Sequence, residues 1–500
     1  MSETVLLPLV TVASSLVAGL TIFMLPEKRR GLRSGINIAA AVIKLACVLW
    51  MIDGVLAERV YEARLPFLPG NDLVLRADAM SLLFATLSAI LWLVTTFYAI
   101  GYLEGAPRRS RFFGFFSLCV TATMGIALAG NLVTFFLFYE LLTLTTYPLV
   151  VHRGTEKALA AGATYLAYTL AGGALLLAGV VWLHALLGTV EFAHGGVMAA
   201  LGPETHPQLT AVFVLVIAGV AVKAAVVPFH GWLPQAMVAP APVSALLHAV
   251  AVVKAGAFGV VRLCYDVFGI EFAADLGVLT PLAAIASVTI LWGSLRALVQ
   301  DDLKRRLAYS TISQVSYVVL GVGLFGPVGT IGGLVHLVHQ GIMKITLFFC
   351  AGNYAETLGI HRVTEMDGVG ARMPLTTAAF TVGALGMIGA PATAGFVTKW
   401  YLGLGALDAG MGWVLPVLLA SSLLNAAYFL PILHRAWFRS QAGEWPAERI
   451  RAVGRRETAW LLLLPPLFTA ASVVATGLLS GLSFSPLGWT MLIAAREYLR

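Results

Sequence analysis

Charge is scarce in this sequence. Asp, Glu, Lys and Arg make up 11% of its 500 residues and hydrophobic residues 59%, where a water-soluble domain carries roughly 25% charged residues. With a mean hydropathy of +0.88, this excludes an ordinary soluble fold and indicates an all-α polytopic membrane protein. Cysteine is rare as well. Cys47, Cys119, Cys264 and Cys350 stand singly within or at the ends of apolar runs, with no C-x-x-C spacing, so they read as packing residues and not as a cluster or a disulfide. No G-x-x-x-x-G-K-[ST] loop is present, nor a glycine-rich dinucleotide fingerprint between a strand and a helix. The chain is therefore expected to have no catalytic centre, cofactor or metal of its own. Long polar linkers are missing too: the longest connections, 58–77, 188–207, 352–374 and 434–456, are too short to carry a soluble domain.

What the sequence has instead is apolar runs. About fourteen, each near twenty residues, begin close to positions 4, 35, 78, 112, 131, 158, 208, 241, 277, 307, 330, 375, 413 and 457. The first is followed, not preceded, by basic residues (Lys28, Arg29, Arg30), the reverse of a cleavable signal, and so is expected to remain as a span. Alternating the connections puts 21 basic residues on one side, from Lys28 through Arg456, against six on the other: Arg59, Arg64, Arg76, Arg262, Arg496 and Arg500. Positive-inside bias then predicts fourteen spans in the cell inner (cytoplasmic) membrane with both termini on the outer side. The net charge of +7 reflects this loop asymmetry, not nucleic-acid binding, because no aromatic-interleaved basic region exists.

Five lysines break the apolar pattern: Lys44, Lys223, Lys254, Lys344 and Lys399. Glu140 is the one acid read as lying well inside a run, and every buried cation is expected to be a lysine. Lysine changes protonation readily in a protein interior whereas arginine does not, so this choice points to proton handling. Each ionisable group costs roughly 2.5–3.5 kcal/mol at a span centre on insertion scales, and groups that costly mark ion paths.

Two runs also contain proline in polar surroundings, at Pro228 (within Val222 to His230) and Pro391 (within Gly389 to Lys399). Proline frees carbonyls that a bilayer tolerates only beside protein or water, so spans seven and twelve are expected to be broken helices. Paired interruptions point to a repeat-built transporter with its site near the midplane, and breaks five spans apart make the second five-helix unit inverted. Lys223 is the expected partner of Glu140, in a coupled or a static ion pair. Lys254 is expected to share a hydrated cavity with His248, unless His248 bonds Ser244 at i, i+4. His336, Gln340 and Lys344 follow i, i+4, i+8 with His339 alongside, a spacing suited to a proton relay or to polar contacts between helices. His230 is placed for a gate beside Pro228, Lys44 for a contact with another subunit, and the Arg296 to Arg306 loop for solvent.

These segments resemble the antiporter-like proteins shared by multisubunit Mrp-type cation/proton antiporters, respiratory complex I and energy-converting hydrogenases. The resemblance is carried by Phe138-Tyr139-Glu140, the run Val222 to Pro234, Ala239 to His248, Lys254-Ala255-Gly256 and Asp302 to Gln314, and it covers about 110–435. It implies fourteen helices: 1–108 as three N-terminal helices, 109–265 and 276–437 as two inverted five-helix repeats, and 438–500 as a loop, the last helix and a tail. It assigns Glu140 and Lys223 to a coupled pair, Lys254 to a central connection, His336, His339 and Lys344 to the eleventh helix, and Lys399 to an exit. One departure is the lack of an aromatic pair ahead of Lys344. The wording around Val363 to Gly370 and Met387 to Pro391 looks most like the D-type member of the Mrp antiporters. The implied function is sodium/proton antiport with other membrane subunits as partners. The alternatives are a proton-pumping subunit of a redox-driven complex or a non-conducting structural subunit.

Overall fold

The computed structural model describes residues 3–441, 443–448 and 456–498. Arg449, Arg451, Arg455 and Arg500, which contribute to the loop asymmetry, lie outside the described residues. In chain order, α1 (Glu3–Phe23) and α2 (Arg30–Leu56) lead to a hairpin of β1 (Tyr61–Leu68) and β2 (Asn71–Ala77). Then come α3 (Ala79–Tyr102), α4 (Arg109–Ala127), α5 (Leu132–Val150), α6 (Glu156–Leu187) and α7 (His206–Ala224). The short α8 (Trp232–Gln235) is followed by α9 (Ala241–Ala249) and α10 (Val252–Arg262), which runs on through a π turn at Leu263–Val267. After α11 (Ile270–Asp275) follow α12 (Leu279–Leu298), α13 (Leu303–Gly323), α14 (Pro327–Leu358), α15 (Val369–Arg372), α16 (Pro374–Ile388), α17 (Ala394–Asp408), α18 (Val414–Phe438), α19 (Trp460–Leu478) and α20 (Pro486–Tyr498).

Several helices start where the sequence supplies a capping oxygen. Asp78 accepts from the Ser81 amide at 2.6 Å, Asn131 from Thr134 at 2.8 Å and Asp302 from Arg305 at 2.8 Å, each satisfying an amide that the first turn leaves unpaired. Among the described residues, 12 helical segments are long and apolar enough to cross a membrane. The remaining runs fall on α13, which is long but polar, and on α16 and α17, which are shortened by the break between them.

Burial sorts these helices. In each of the segments 241–267 and 327–358 the most apolar 18-residue stretch is buried throughout, whereas in α2, α6 and α18 only a third of that stretch is buried. A helix that is apolar all round and buried all round belongs to the core of the bundle, not to its lipid-facing rim. The two innermost segments are the ones that carry Lys254 and His336 to Lys344.

Both expected breaks are present. The chain leaves helical geometry between α7 and α8 and again between α16 and α17, and each break holds an alanine in the left-handed region, Ala225 at φ 57° and Ala392 at φ 66°. Such a residue costs roughly 1–2 kcal/mol relative to the right-handed conformation and persists only where its surroundings impose it. A third break, between α9 and α10 at Val250 and Ala251, has no proline or glycine to announce it.

The loops gather at two ends. At one, the β hairpin, the 188–205 connection and α20 meet through Arg64 and Arg76 pairing with Glu62 and Glu191 and through His194 with Glu497. At the other, Glu27 meets Arg109, Asp301 accepts from Thr364, and Arg435 pairs with Asp367.

Candidate functional site

Lys223 lies in the last turn of α7, directly before the break, and is fully buried. Its ammonium group is 3.8 Å from Glu140 Oε1, donates to the Tyr139 carbonyl, and stands 3.3 Å from the centre of the Tyr139 ring. The Glu140 oxygen is buried without a hydrogen bond, so the pair attracts by charge and does not lock through a short contact. Gly173 of α6 makes the space for this carboxylate, since a Cβ there would lie 2.5 Å from Glu140 Oε1. The broken end of α7 is satisfied by the Trp232 indole, which donates to the Val222 carbonyl at 2.8 Å. His230 accepts from the Trp292 indole at 3.1 Å, beside the exposed Pro228.

The next lysine packs against the same turn. Gly256 of α10 meets α7 so closely that a Cβ would sit 2.1 Å from the Ala224 amide nitrogen. Lys254, two residues earlier, is fully buried and donates to the Leu337 carbonyl of α14 at 2.6 Å. On α14, His336 packs beside Tyr317 with ring centres 5.1 Å apart. Neither ring nitrogen of His336 has a hydrogen-bond partner, nor does His339 Nε2 or the Gln340 amide. His339 Nδ1 is 3.0 Å from the Thr398 hydroxyl of α17. Lys344 binds the Leu307 carbonyl at 3.2 Å and the Ser310 hydroxyl, both on α13.

Lys399 closes the series. It lies in the second turn of α17 and donates to the Ile388 carbonyl at 2.6 Å, the Met387 carbonyl at 3.3 Å and the Ser422 hydroxyl of α18 at 2.8 Å. It thus caps the C-terminal end of α16, where free carbonyls and the helix dipole favour a cation. Pro391 is exposed within that break.

Named contacts therefore connect α5, α7, α10, α14, α17 and α18 in one series, buried at Lys223, Lys254 and Lys344 and partly buried at Glu140 and Lys399. Lys254, Lys344 and Lys399 face carbonyls and hydroxyls, and among the described residues no carboxylate pairs with them.

Three expectations are corrected, and one of the two readings of His248 is removed. Buried cations are not all lysines: Arg33, Arg262 and Arg306 are buried too. Arg262 is held by Asp78 at 2.9 Å and Asp266 at 2.7 Å, so Asp266 is a buried acid besides Glu140, at the end of the eighth span. Arg306 binds the Gln300 carbonyl and the Tyr428 carbonyl, so part of the Arg296 to Arg306 loop is packed away from solvent. Lys44 turns inward, with its ammonium group 2.5 Å from the Ser15 hydroxyl and 4.8 Å from the Trp92 ring centre, and so does not reach a subunit surface. His248 makes no bond to Ser244, which donates to the Pro240 carbonyl; the imidazole stacks on Phe348 with both nitrogens unpartnered.

Residues 129–425 match the family described as NADH:quinone oxidoreductase/Mrp antiporter, TM. The chain belongs to this family. It is 35% identical over 431 residues to NADH-quinone oxidoreductase subunit N of Desulforudis audaxviator, covering 84% of each chain. It is 30% identical over 439 residues to Na(+)/H(+) antiporter subunit A1 of Staphylococcus haemolyticus, covering 83% of this chain and about half, 53%, of that one. Its structure resembles a chain of the Mrp complex from Dietzia sp. DQ12-45-1b, with a TM-score of 0.86 at 26% identity over 100% of this chain and 98% of that one. It also has the fold of a chain of respiratory complex I from Thermus thermophilus, with a TM-score of 0.80 at 22% identity, over 98% and 99% of the two chains.

Within this antiporter-family chain, sequence reasoning missed Tyr139, Ser310, Thr398 and Ser422 as lysine or histidine partners. Ser310 and Tyr139 lie inside the motifs that carry the resemblance, and Thr398 adjoins Lys399. Ser422 has no local signal, because it meets Lys399 across 23 residues of chain.

Proposed function

We infer that this chain is a proton-translocating subunit of a multisubunit membrane assembly. Protons reach Lys223, cross by Lys254 to the His336, His339 and Lys344 region of α14, and leave through Lys399. The observation that carries this reading is the series of lysines set against neutral acceptors, interleaved with the His336 imidazole and the Gln340 amide, which have no hydrogen-bond partner among the described residues. The lysines and imidazoles can take up or release a proton from water or from a neighbour, the amide can hydrogen-bond the water between them, and water fits beside polar atoms that would otherwise cost about 1–3 kcal/mol each to bury unpaired. Glu140 couples the path to conformation, because moving its carboxylate toward or away from Lys223 changes which protonation state of the pair is favoured. The units 109–265 and 276–437 would supply one half-channel each, gated at the Pro228 and His230 break and at the Pro391 break, with His248 beside the central lysine.

The opposing flow in this reading is sodium or another monovalent cation, in the role of a D-type Mrp chain with partner subunits in the inner membrane. Structural likeness to the Mrp chain supports it. A redox-driven proton pump is the second reading, favoured by the 35% identity to an NADH-quinone oxidoreductase subunit over most of both chains.

Vesicles containing the whole assembly separate the two. Proton movement on adding sodium, lost in Glu140→Ala and Lys223→Ala, is expected for the antiporter. Pumping only on adding a reductant would replace it with the redox-driven reading. Undiminished proton movement in both variants would remove the path altogether.

A further inference from the structure

A second polar cluster lies apart from the lysine series, at the end of the bundle where the hairpin, the 188–205 connection and α20 meet. It joins three stretches of chain remote in sequence: His194 of that connection, Asp266 of the π turn, and Glu497 near the end of α20. One ligand-type atom from each lies within 4.8 Å of the others. His194 Nδ1 is 2.8 Å from Glu497 Oε1. Asp266 and Glu497 are buried, at 3% and 7% exposure, while His194 opens to the surface. The second carboxylate oxygen of Glu497, Oε2, is buried and has no hydrogen-bond partner.

The charges in this cluster do not balance. Asp78, Asp266 and Glu497 are three carboxylates, and the guanidinium of Arg262, enclosed by the Phe192 and Phe258 rings, answers Asp78 and Asp266. Arg76 reaches the neighbouring Phe192 carbonyl but is paired with Glu62 and Glu191. With His194 neutral and all three carboxylates ionised, two negative charges are left without a counter-charge among the described residues, in a largely buried place, which is unfavourable until a proton or a cation compensates it. Protonating His194 removes one of them. A divalent cation bound to the neutral imidazole removes both and also satisfies Glu497 Oε2.

We propose that His194, Asp266 and Glu497 form a binding site for a divalent transition-metal cation of the zinc class. An imidazole with two carboxylates suits zinc and disfavours magnesium, which takes oxygen ligands and keeps its water. Zinc binds nitrogen and oxygen donors at roughly 2.0–2.2 Å, so its ligand atoms stand about 3–3.5 Å apart, and the present spacing needs side-chain shifts of about 1 Å. The ion would tie α20 to the eighth span and to the 188–205 connection. This site is independent of the proton path, and its test does not use transport.

The experiment is zinc binding to the purified full chain after chelator treatment, read by metal content, by the visible spectrum of the cobalt-substituted form and by thermal unfolding. The wild type should retain one zinc per chain and melt higher with zinc than without, with no response to magnesium. His194→Ala and Glu497→Gln should each weaken zinc binding by at least about tenfold, the loss seen even when a ligand's outer partner is removed. Glu497→Gln keeps the shape of the side chain and an acceptor for His194, so it separates lost ligation from lost folding. Equal zinc retention in wild type and variants, or no saturable zinc in the wild type, would overturn the site and leave His194 and Glu497 as an ion pair.

Discussion

At the scale of single residues, the proposed path makes transport turn on protonation, not on charge alone. Lys223→Arg keeps a cation near Glu140 and Tyr139 but installs a group that does not give up its proton. Proton flux in assembly-containing vesicles should fall about as far as in Lys223→Ala, while the assembly still forms; full activity would mean that Lys223 serves only as a fixed charge. Gly173→Ala probes the other partner. The added Cβ would meet the end of the Glu140 side chain, not backbone, so the helix should tolerate it while the carboxylate moves. Flux should drop severalfold at nearly unchanged melting temperature.

The residues of this series were legible because an ionisable group inside an apolar run is conspicuous in one dimension. Their acceptors were not. The carbonyls of Leu337, Leu307 and Ile388 carry no side-chain signal, and His248 was open between two readings until Phe348 was seen beside it. Arg262 was misread for a related reason: a charge at the end of an apolar run looks like a loop residue unless its partner is known. That partner, Asp78, lies 184 residues away in the chain.

At the scale of elements, proline made two of the three breaks visible. The third, between α9 and α10, has neither proline nor glycine at Val250 and Ala251, so no local pattern announced it. Beyond it, α10 packs Gly256 onto the end of α7 next to Lys223. Gly256→Ala should therefore separate α10 from α7 or strain both, at a cost of about 1–3 kcal/mol typical of overpacking. It should lower the thermal midpoint of the purified protein and reduce flux together, unlike Gly173→Ala; a variant as stable as wild type would contradict the close approach. The hairpin was missed because 58–77 contains Pro66, Pro69 and Gly70 and reads as a polar connection, and α20 because it is short and lies beyond the last long apolar run.

At the scale of the whole molecule, hydropathy was enough to give the membrane class, because it is a sum over many residues. It could not foresee which remote loops meet. Glu191 of the 188–205 connection is an example: the Arg64 hydrogen bond, followed by Arg76, outweighs partial burial and holds its carboxyl below the usual range. A lowered pKa in the folded state contributes stability above the unfolded value, near 4.3, and that contribution disappears as pH falls through the folded value. The melting temperatures of wild type and Glu191→Gln should therefore differ most near neutral pH and converge in acid. A constant difference would mean that the ion pairs are not the cause.

The central claim is that protons cross the bundle through its buried lysines, and Lys254→Met tests it most directly. Lys254 bonds a backbone carbonyl and not a carboxylate, so its removal strands no buried charge and the fold should survive. The measurement is the proton flux of vesicles carrying the intact assembly, driven by sodium or by reductant, for wild type and Lys254→Met at matched assembly content. A path through the lysines predicts that flux is lost with the assembly intact; undiminished flux would contradict it.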